Sequence, residues 1–266
     1  MIGEELIKST GKKIWLKWNI AFKIIPIVLA VVILKFLAHH FEYEVMELNA
    51  LFTSLVAGTI FLIGFLIAGV LSDYKESEKI PSEMAATMKS LLDDTYTIYK
   101  GKNSQKALEF ISYQKEMTVL FKNWFYKKER TAVVLKKISD MNDFFVEFDK
   151  EGVTPNYIIK MKNEQNTLRK LILRIDTIRD TDFIGTGYAI VEAMGFVIAF
   201  GLVIIKIEPF YASLFFTVFV TFLISYMFLL IKDLDNPFDY SINGESGTEI
   251  SLKPINDHEK SLADFI

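Results

Sequence analysis

Apolar residues along this chain gather in four long runs, Ile20–Ala38, Leu51–Leu71, Phe183–Ile205 and Phe210–Ile231, with polar stretches between them. A helix rising 1.5 Å per residue needs about 20 such residues to cross a bilayer. Each run therefore predicts a membrane-spanning helix. The second and fourth runs carry no charge. The first holds Lys23 and Lys35 near its ends, where long side chains lift their ammonium groups to the headgroups. Its Pro26 is expected in the first helical turn, where proline is tolerated. The third run carries Glu192. Lys8, Lys12, Lys13 and Lys17 precede the first run. That run is too long for the apolar segment of a cleavable signal, and no small-x-small site follows it.

Between the second and third spans the period changes. Ile80-Pro81-Ser82-Glu83 reads as a helix start, with Met84, Met88, Leu91 and Leu92 on one face. A second helix follows Gly101 and Asn103, carrying Leu108, Ile111, Val119, Leu120 and Trp124 at helical spacing. Lys127-Lys128-Glu129-Arg130 interrupts it. Val133 to Phe148 is again periodic and ends at Gly152. Thr154-Pro155 then marks an N-cap followed by proline at the first helical position. Leu168, Leu171, Ile172, Ile175 and Ile178 mark the next helix, which runs towards the third span. The predicted fold is all-α: a polytopic membrane protein with four transmembrane helices and a helical cytoplasmic domain. Its expected segments are 1–72 (N-terminal segment and the first two spans), 73–182 (cytoplasmic helical domain), 183–231 (the last two spans) and 232–266 (cytoplasmic tail).

Charge sets the orientation. The first loop, 39–50, contains Glu42, Glu44 and Glu47 but no Lys or Arg, whereas 72–182 contains about 20 basic residues. Glu208 lies in the short turn between the last two spans. Because basic residues stay on the cytoplasmic side, both termini and the long middle segment are expected there, in a multi-pass protein of the plasma membrane. Of the 266 residues 51% are hydrophobic, and the net charge of -3 carries none of the basic excess of a nucleic-acid-binding protein. There is no cysteine, hence no disulfide or thiol chemistry.

Motifs of enzymatic chemistry are missing: no phosphate-binding loop, no dinucleotide fingerprint, no zinc-protease motif and no nucleophile elbow. The residues of His39-His40 point about 100° apart on a helix, and no metal or cofactor is expected there. The chain reads as a non-enzyme. Phe61 and Phe65, four residues apart, share one helix face. In an oligomer they form stacked aromatic rings of a narrow apolar pore neck; in a lone bundle they face lipid or a neighbouring helix. Glu192 either lines an ion or proton path or hydrogen-bonds at a helix contact. Gly64 with Ala68, and Gly195 with Ala199, are small pairs at four-residue spacing that let backbones approach.

Phe61-Leu62-Ile63-Gly64-Phe65, followed by Asp73-Tyr74-Lys75-Glu76-Ser77-Glu78-Lys79-Ile80-Pro81, resembles the pore helix of the bestrophin family. Asp235-Asn236-Pro237-Phe238 resembles the Asn-Pro-Phe that follows the last membrane helix there, and Ile250-Ser251-Leu252-Lys253-Pro254-Ile255 is similar to the tail of a microbial branch. The four-span plan covers nearly the whole chain, the residue matches only a part. The resemblance implies a homopentameric ion channel with a neck at Ala57, Phe61 and Phe65. Ala57 departs from the bulkier apolar residue usual at that place, which implies a neck wider at its outer end. The acidic run that binds calcium in animal members is thinned here to Asp239-Tyr240-Ser241-Ile242-Asn243-Gly244-Glu245, too sparse for a cage of six or more oxygens. The tail is expected to wrap a neighbouring subunit instead.

Anion conduction follows from the family. The acidic outer mouth, Glu42, Glu44, Glu47 and Glu208, favours cations if the ring concentrates them; ordinary solvation of the loop is the other reading. Two further functions stay open: a membrane-anchored helical scaffold or signalling protein, and, ranked last, a proton-coupled carrier built on Glu192. The expected partners are the lipid bilayer, small inorganic ions and further copies of the chain.

Overall fold

A computed structural model describes residues 2–181, 185–240 and 249–262, with side chains from Trp18 onward. The start of the third apolar run at Phe183, the segment Ser241–Glu245 of the tail and the side chains of Lys8, Lys12, Lys13 and Lys17 lie outside the described residues. The regular elements of the described residues are helices, apart from a parallel pair of two-residue strands. Four of its helices are long and apolar enough to cross a membrane. The chain divides into two compact units, one of Met1–Asp73 with Asp182–Asp235, the other of Tyr74–Thr181 with Asn236–Ile266.

The first unit holds α1 (Ile2–His40), α2 (Ala50–Ser77), α7 (Gly185–Ile204) and α8 (Phe210–Asp235); α2 crosses the unit boundary near its end. α1 packs on α7 and α8, and α7 on α8. α2 contributes Phe52, Ile63, Leu66 and Val70 to a core shared with Tyr188, Val191, Ile198 and Leu202 of α7 and with Ile224 and Ile231 of α8. The closest approach is at Gly201, where an added Cβ would sit 2.3 Å from Cε2 of the Phe52 ring. Here a missing side chain makes room for an aromatic one. Gly195 likewise faces Ile224, 3.6 Å from where its Cβ would be, as a helix-contact glycine should. The Gly64–Ala68 pair differs: nothing lies within 4 Å of a Cβ at Gly64, and the pair is open in the protomer.

Two expectations about α1 are corrected. Pro26 lies inside the helix, not in its first turn, because α1 begins far upstream of the apolar run. Lys35 does not reach the headgroups. It is fully buried, because a carboxylate and two carbonyls receive it inside the unit.

The second unit is a four-helix bundle of α3 (Ile80–Lys102), α4 (Gln105–Phe125), α5 (Thr131–Lys150) and α6 (Pro155–Asp180). Each helix packs on the next, and α6 closes onto α3. Boundaries follow local chemistry. Pro81 stands in the first turn of α3, and Asn103 ends that helix in the left-handed region at φ 54°. Ser104 caps α4 by accepting the Ala107 N–H at 3.0 Å. Gly152 turns the chain at φ 68°, a conformation glycine adopts without strain. Thr154 stands at the N-cap of α6, but its side chain makes no capping bond and Pro155 alone sets the start. The core is built from Met84, Phe110, Phe121, Ile138, Phe145 and Ile172, among others, all buried.

The tail is corrected as well. α9 (Lys253–Leu262) lies on α3 and α4 of its own chain, burying Ile255, His258 and Leu262. The pattern of apolar positions in the tail predicts a docking face but cannot say which copy of the chain receives it.

Candidate functional site

Asn49 starts α2: its Oδ1 accepts the Phe52 N–H at 2.9 Å. From there α2 has two faces. Phe52, Thr59, Ile63, Leu66 and Val70 are buried at spacings of three, four and seven. Thr59 donates to the Leu55 carbonyl at 2.9 Å, so its hydroxyl adds no unpaired polar group to the apolar face. Ala57, Phe61, Gly64, Phe65 and Ala68 lie on the opposite face and are exposed. Phe61 is 78% and Phe65 68% accessible. The two rings are thus not core residues of their own chain. They form an apolar stripe that this protomer leaves uncovered.

The end of the unit that holds the first loop is built around Lys35. Its Nζ lies 2.6 Å from Glu44 Oε1, donates to the Ile205 carbonyl and reaches the Val203 carbonyl at 3.4 Å. The other Glu44 oxygen meets His39 Nδ1 at 2.8 Å. Burial works against the Glu44 charge, but Lys35 and His39 more than offset it and hold the carboxyl below its ordinary range. The His39 ring stacks on Phe210 at the start of α8, with centroids 3.9 Å apart and planes at 22°. The loop is also stitched to the α7–α8 turn by β1 (Met46–Glu47) and β2 (Ile205–Lys206), with Met46 opposite Ile205 and Glu47 opposite Lys206.

The four acids of this end look alike in the sequence; the structure separates them. Glu44 is neutralised by Lys35. Glu208 pairs with Lys206 at 3.1 Å in the open. Glu42, in the left-handed region at φ 58°, and Glu47 are exposed. Glu192 of α7 pairs with Lys232 of α8 at 3.2 Å, both half exposed. The Lys35–Glu44 pair is not legible in the sequence because its partners belong to a span and a loop; the only signal is a lysine inside an apolar run with carboxylates nearby.

The tail motif has an anchor that the sequence did not announce. Phe238 is fully buried, 6.3 Å from the Phe125 ring. The Pro237 carbonyl accepts the Ile250 N–H at 3.0 Å. Arg179, in the last turn of α6, donates to the Phe238 carbonyl at 3.3 Å and to those of Phe125 and Trp124 at 3.0 and 3.4 Å. Its guanidinium stacks 4.5 Å from the Trp124 ring. A cation at the carbonyl end of α4 also meets the negative pole of that helix. Asp239, just past Phe238, pairs with Lys127. Among the described residues no three His, Asp or Glu side chains gather in a way that would hold a metal ion.

No protein-family model matches the sequence and no curated protein sequence is similar to it. Solved structures are. A variant of the bacterial bestrophin homologue from Klebsiella pneumoniae superposes with a TM-score of 0.75 at 17% identity, over 91% of this chain and 98% of that one. A second variant of that protein gives 0.75 at 16% identity, over 92% and 97%. A structure described only as a membrane protein gives 0.71 at 16% identity, over 92% and 97%. At such identities the likeness speaks of architecture, and over nearly the whole of both chains that architecture is the same: this is a four-span, all-α membrane protein with a bestrophin-like fold.

Proposed function

We propose that the chain is one subunit of an oligomeric bestrophin-like ion channel that passes small monovalent ions through an apolar neck. The observation that carries this reading is the uncovered stripe of α2, with Phe61 and Phe65 turned away from their own chain. An exposed aromatic stripe on a membrane helix that carries a bestrophin-like fold fits a surface shared around an axis, where apolar rings narrow a water path and gate it by dewetting. Ala57, one turn further out, leaves the entrance wider. The number of copies, five, comes from resemblance to the family, as does conduction of anions. The exposed carboxylates of Glu42 and Glu47 favour cations at the outer mouth. The basic residues of the bundle and of the N-terminal segment support a cytoplasmic side for both termini, in a plasma-membrane protein.

Purified protein reconstituted in planar bilayers tests this. Phe61→Ala and Phe65→Ala are expected to raise single-channel conductance severalfold by widening the neck, and the detergent-solubilised complex is expected to have the mass of several copies. A monomer that carries no current in any salt would end the channel reading.

A further inference from the structure

The large apolar side chains that lead from α1 into α2 are bare. Phe41, Tyr43, Val45, Leu48 and Leu51 are each between 57% and 83% accessible, and a patch of that kind marks an interaction surface. Its exposure is built into the backbone. The chain leaves α1 through a turn in which the Tyr43 N–H donates to the Ala38 carbonyl at 2.8 Å and the Glu42 N–H to the His39 carbonyl at 3.3 Å. Glu42 takes up the left-handed conformation that suits glycine. At helix ends of this type the residue in the place of Tyr43 often packs back on the last turns of the helix. Here Tyr43 turns outward, its ring 6.2 Å from that of Phe41. Glu44 turns inward to Lys35 while its neighbours Tyr43 and Val45 stay out. That ion pair and the β1–β2 strand pair hold the loop in this strained shape.

The patch does not stop at the loop. Leu51, Ser54, Gly58, Phe61 and Phe65 recur at steps of three and four and are all exposed, so Leu51 joins the loop to the uncovered side of α2. We propose that residues 41–51 form the contact by which one copy of the chain grips the next at this end of the spans, with Tyr43 and Val45 at its centre. Hydrocarbon is a poor occupant, because Glu42 and Glu47 are exposed among the apolar side chains and would lose their water with them. A protein surface suits the pattern better: aromatic and aliphatic groups at the centre, charge at the rim. The loop is already held, so little ordering opposes its docking. A surface unbroken from the loop to the α2 stripe takes the same occupant as the stripe, a further copy of the chain.

The inference rests on the channel reading, and its test separates the two. The chain has no cysteine, so Val45→Cys carries a single thiol, at a side chain that its own copy leaves bare. In full-length protein held in nanodiscs, whose two faces are both open to water, this thiol is expected to react with a water-soluble maleimide many times more slowly than in the same protein unfolded in guanidinium. The fluorescence added by Tyr43→Trp is expected to keep its strength when lipids with brominated chains replace the ordinary ones. Tyr43→Ser with Val45→Glu is expected to raise the concentration at which the detergent-solubilised complex falls to single copies by at least about tenfold. A thiol as reactive in the assembly as in the unfolded chain, a tryptophan quenched by brominated chains, or a double variant that holds together as well as the wild type overturns the inference and leaves an oligomeric channel standing with its contact elsewhere. A wild type with the mass of a single copy overturns the channel reading and the inference with it.

Discussion

A lysine with no solvent access inside a membrane unit is tolerable only if its charge is met, and Lys35 is met by Glu44 at 2.6 Å. Removing one member of a buried pair costs about 3–5 kcal/mol because the other is stranded, whereas replacing both by uncharged groups is often nearly neutral. Glu44→Gln is therefore expected to lower the melting temperature sharply, and Lys35→Met with Glu44→Gln to recover most of the loss; melts of the detergent-solubilised protein decide this. The pH dependence follows from the depressed Glu44 carboxyl. Its contribution is fully present above the ordinary value of 4.5 and is lost as pH falls from there through the lower folded-state value. Gly201 is a second site where one atom matters. A methyl group there would collide with Phe52, so Gly201→Ala is expected to destabilise by about 1–3 kcal/mol through overpacking, again read by melting. Neither role could be read from the sequence. Lys35 looks like any lysine near the end of a span until its partner across a loop is known, and Gly201 is one of 13 glycines until the ring against it is seen.

At the scale of the helix most of the chain was legible. The starts and stops at Pro81, Asn103, Gly152 and Pro155 are local chemistry, and local chemistry is written in consecutive residues. The bundle face of α3 and α6 follows their apolar period for the same reason, whereas on α4 the period misplaces it: Val119 is exposed, Leu108 and Leu120 are half-buried, and Phe110, Met117 and Phe121 fill the core instead. What the period could not convey is the identity of the partner. α9 shows this: its buried Ile255, His258 and Leu262 suit any apolar groove, and only the folded chain shows them on α3 and α4 of the same copy. Both ring nitrogens of His258 are buried and find no hydrogen-bond partner among the described residues. Burial chiefly, with Lys89 nearby and partly opposed by Asp93, pushes its pKa down to about 4 from 6.5. Between those values the undocked helix takes up a proton that the docked one refuses. Docking is strongest above pH 6.5 and weakens as pH falls towards 4, by up to ~1.4 kcal/mol per pH unit. Thermal melts at both ends of that window are expected to diverge for the wild type and to converge for His258→Leu.

For the molecule as a whole, the four-span plan came from hydropathy and the placing of lysine and arginine, quantities that survive where sequence identity has fallen to 16–17%. The tail motif and the α2 stripe needed more than their letters. Phe238 is an anchor because Arg179 holds its carbonyl, and Phe61 and Phe65, neck candidates already from their spacing, are left bare by their own chain. If copies gather about an axis as proposed, their mass measured in detergent gives the number, and that number multiplies every charge at the mouth.

The division of α2 into a covered side and an uncovered side carries one more consequence. Residues there answer to two masters in alternation along a single stretch of chain: those at 52, 59, 63, 66 and 70 keep one subunit folded, those at 57, 61, 65 and 68 belong to whatever lies outside it. If the uncovered side lines an ion path as proposed, walking a bulky substitution through the helix should make two kinds of defect rise and fall out of phase, lost expression on one beat and altered permeation on the next, with the 3.6-residue rhythm of the helix itself.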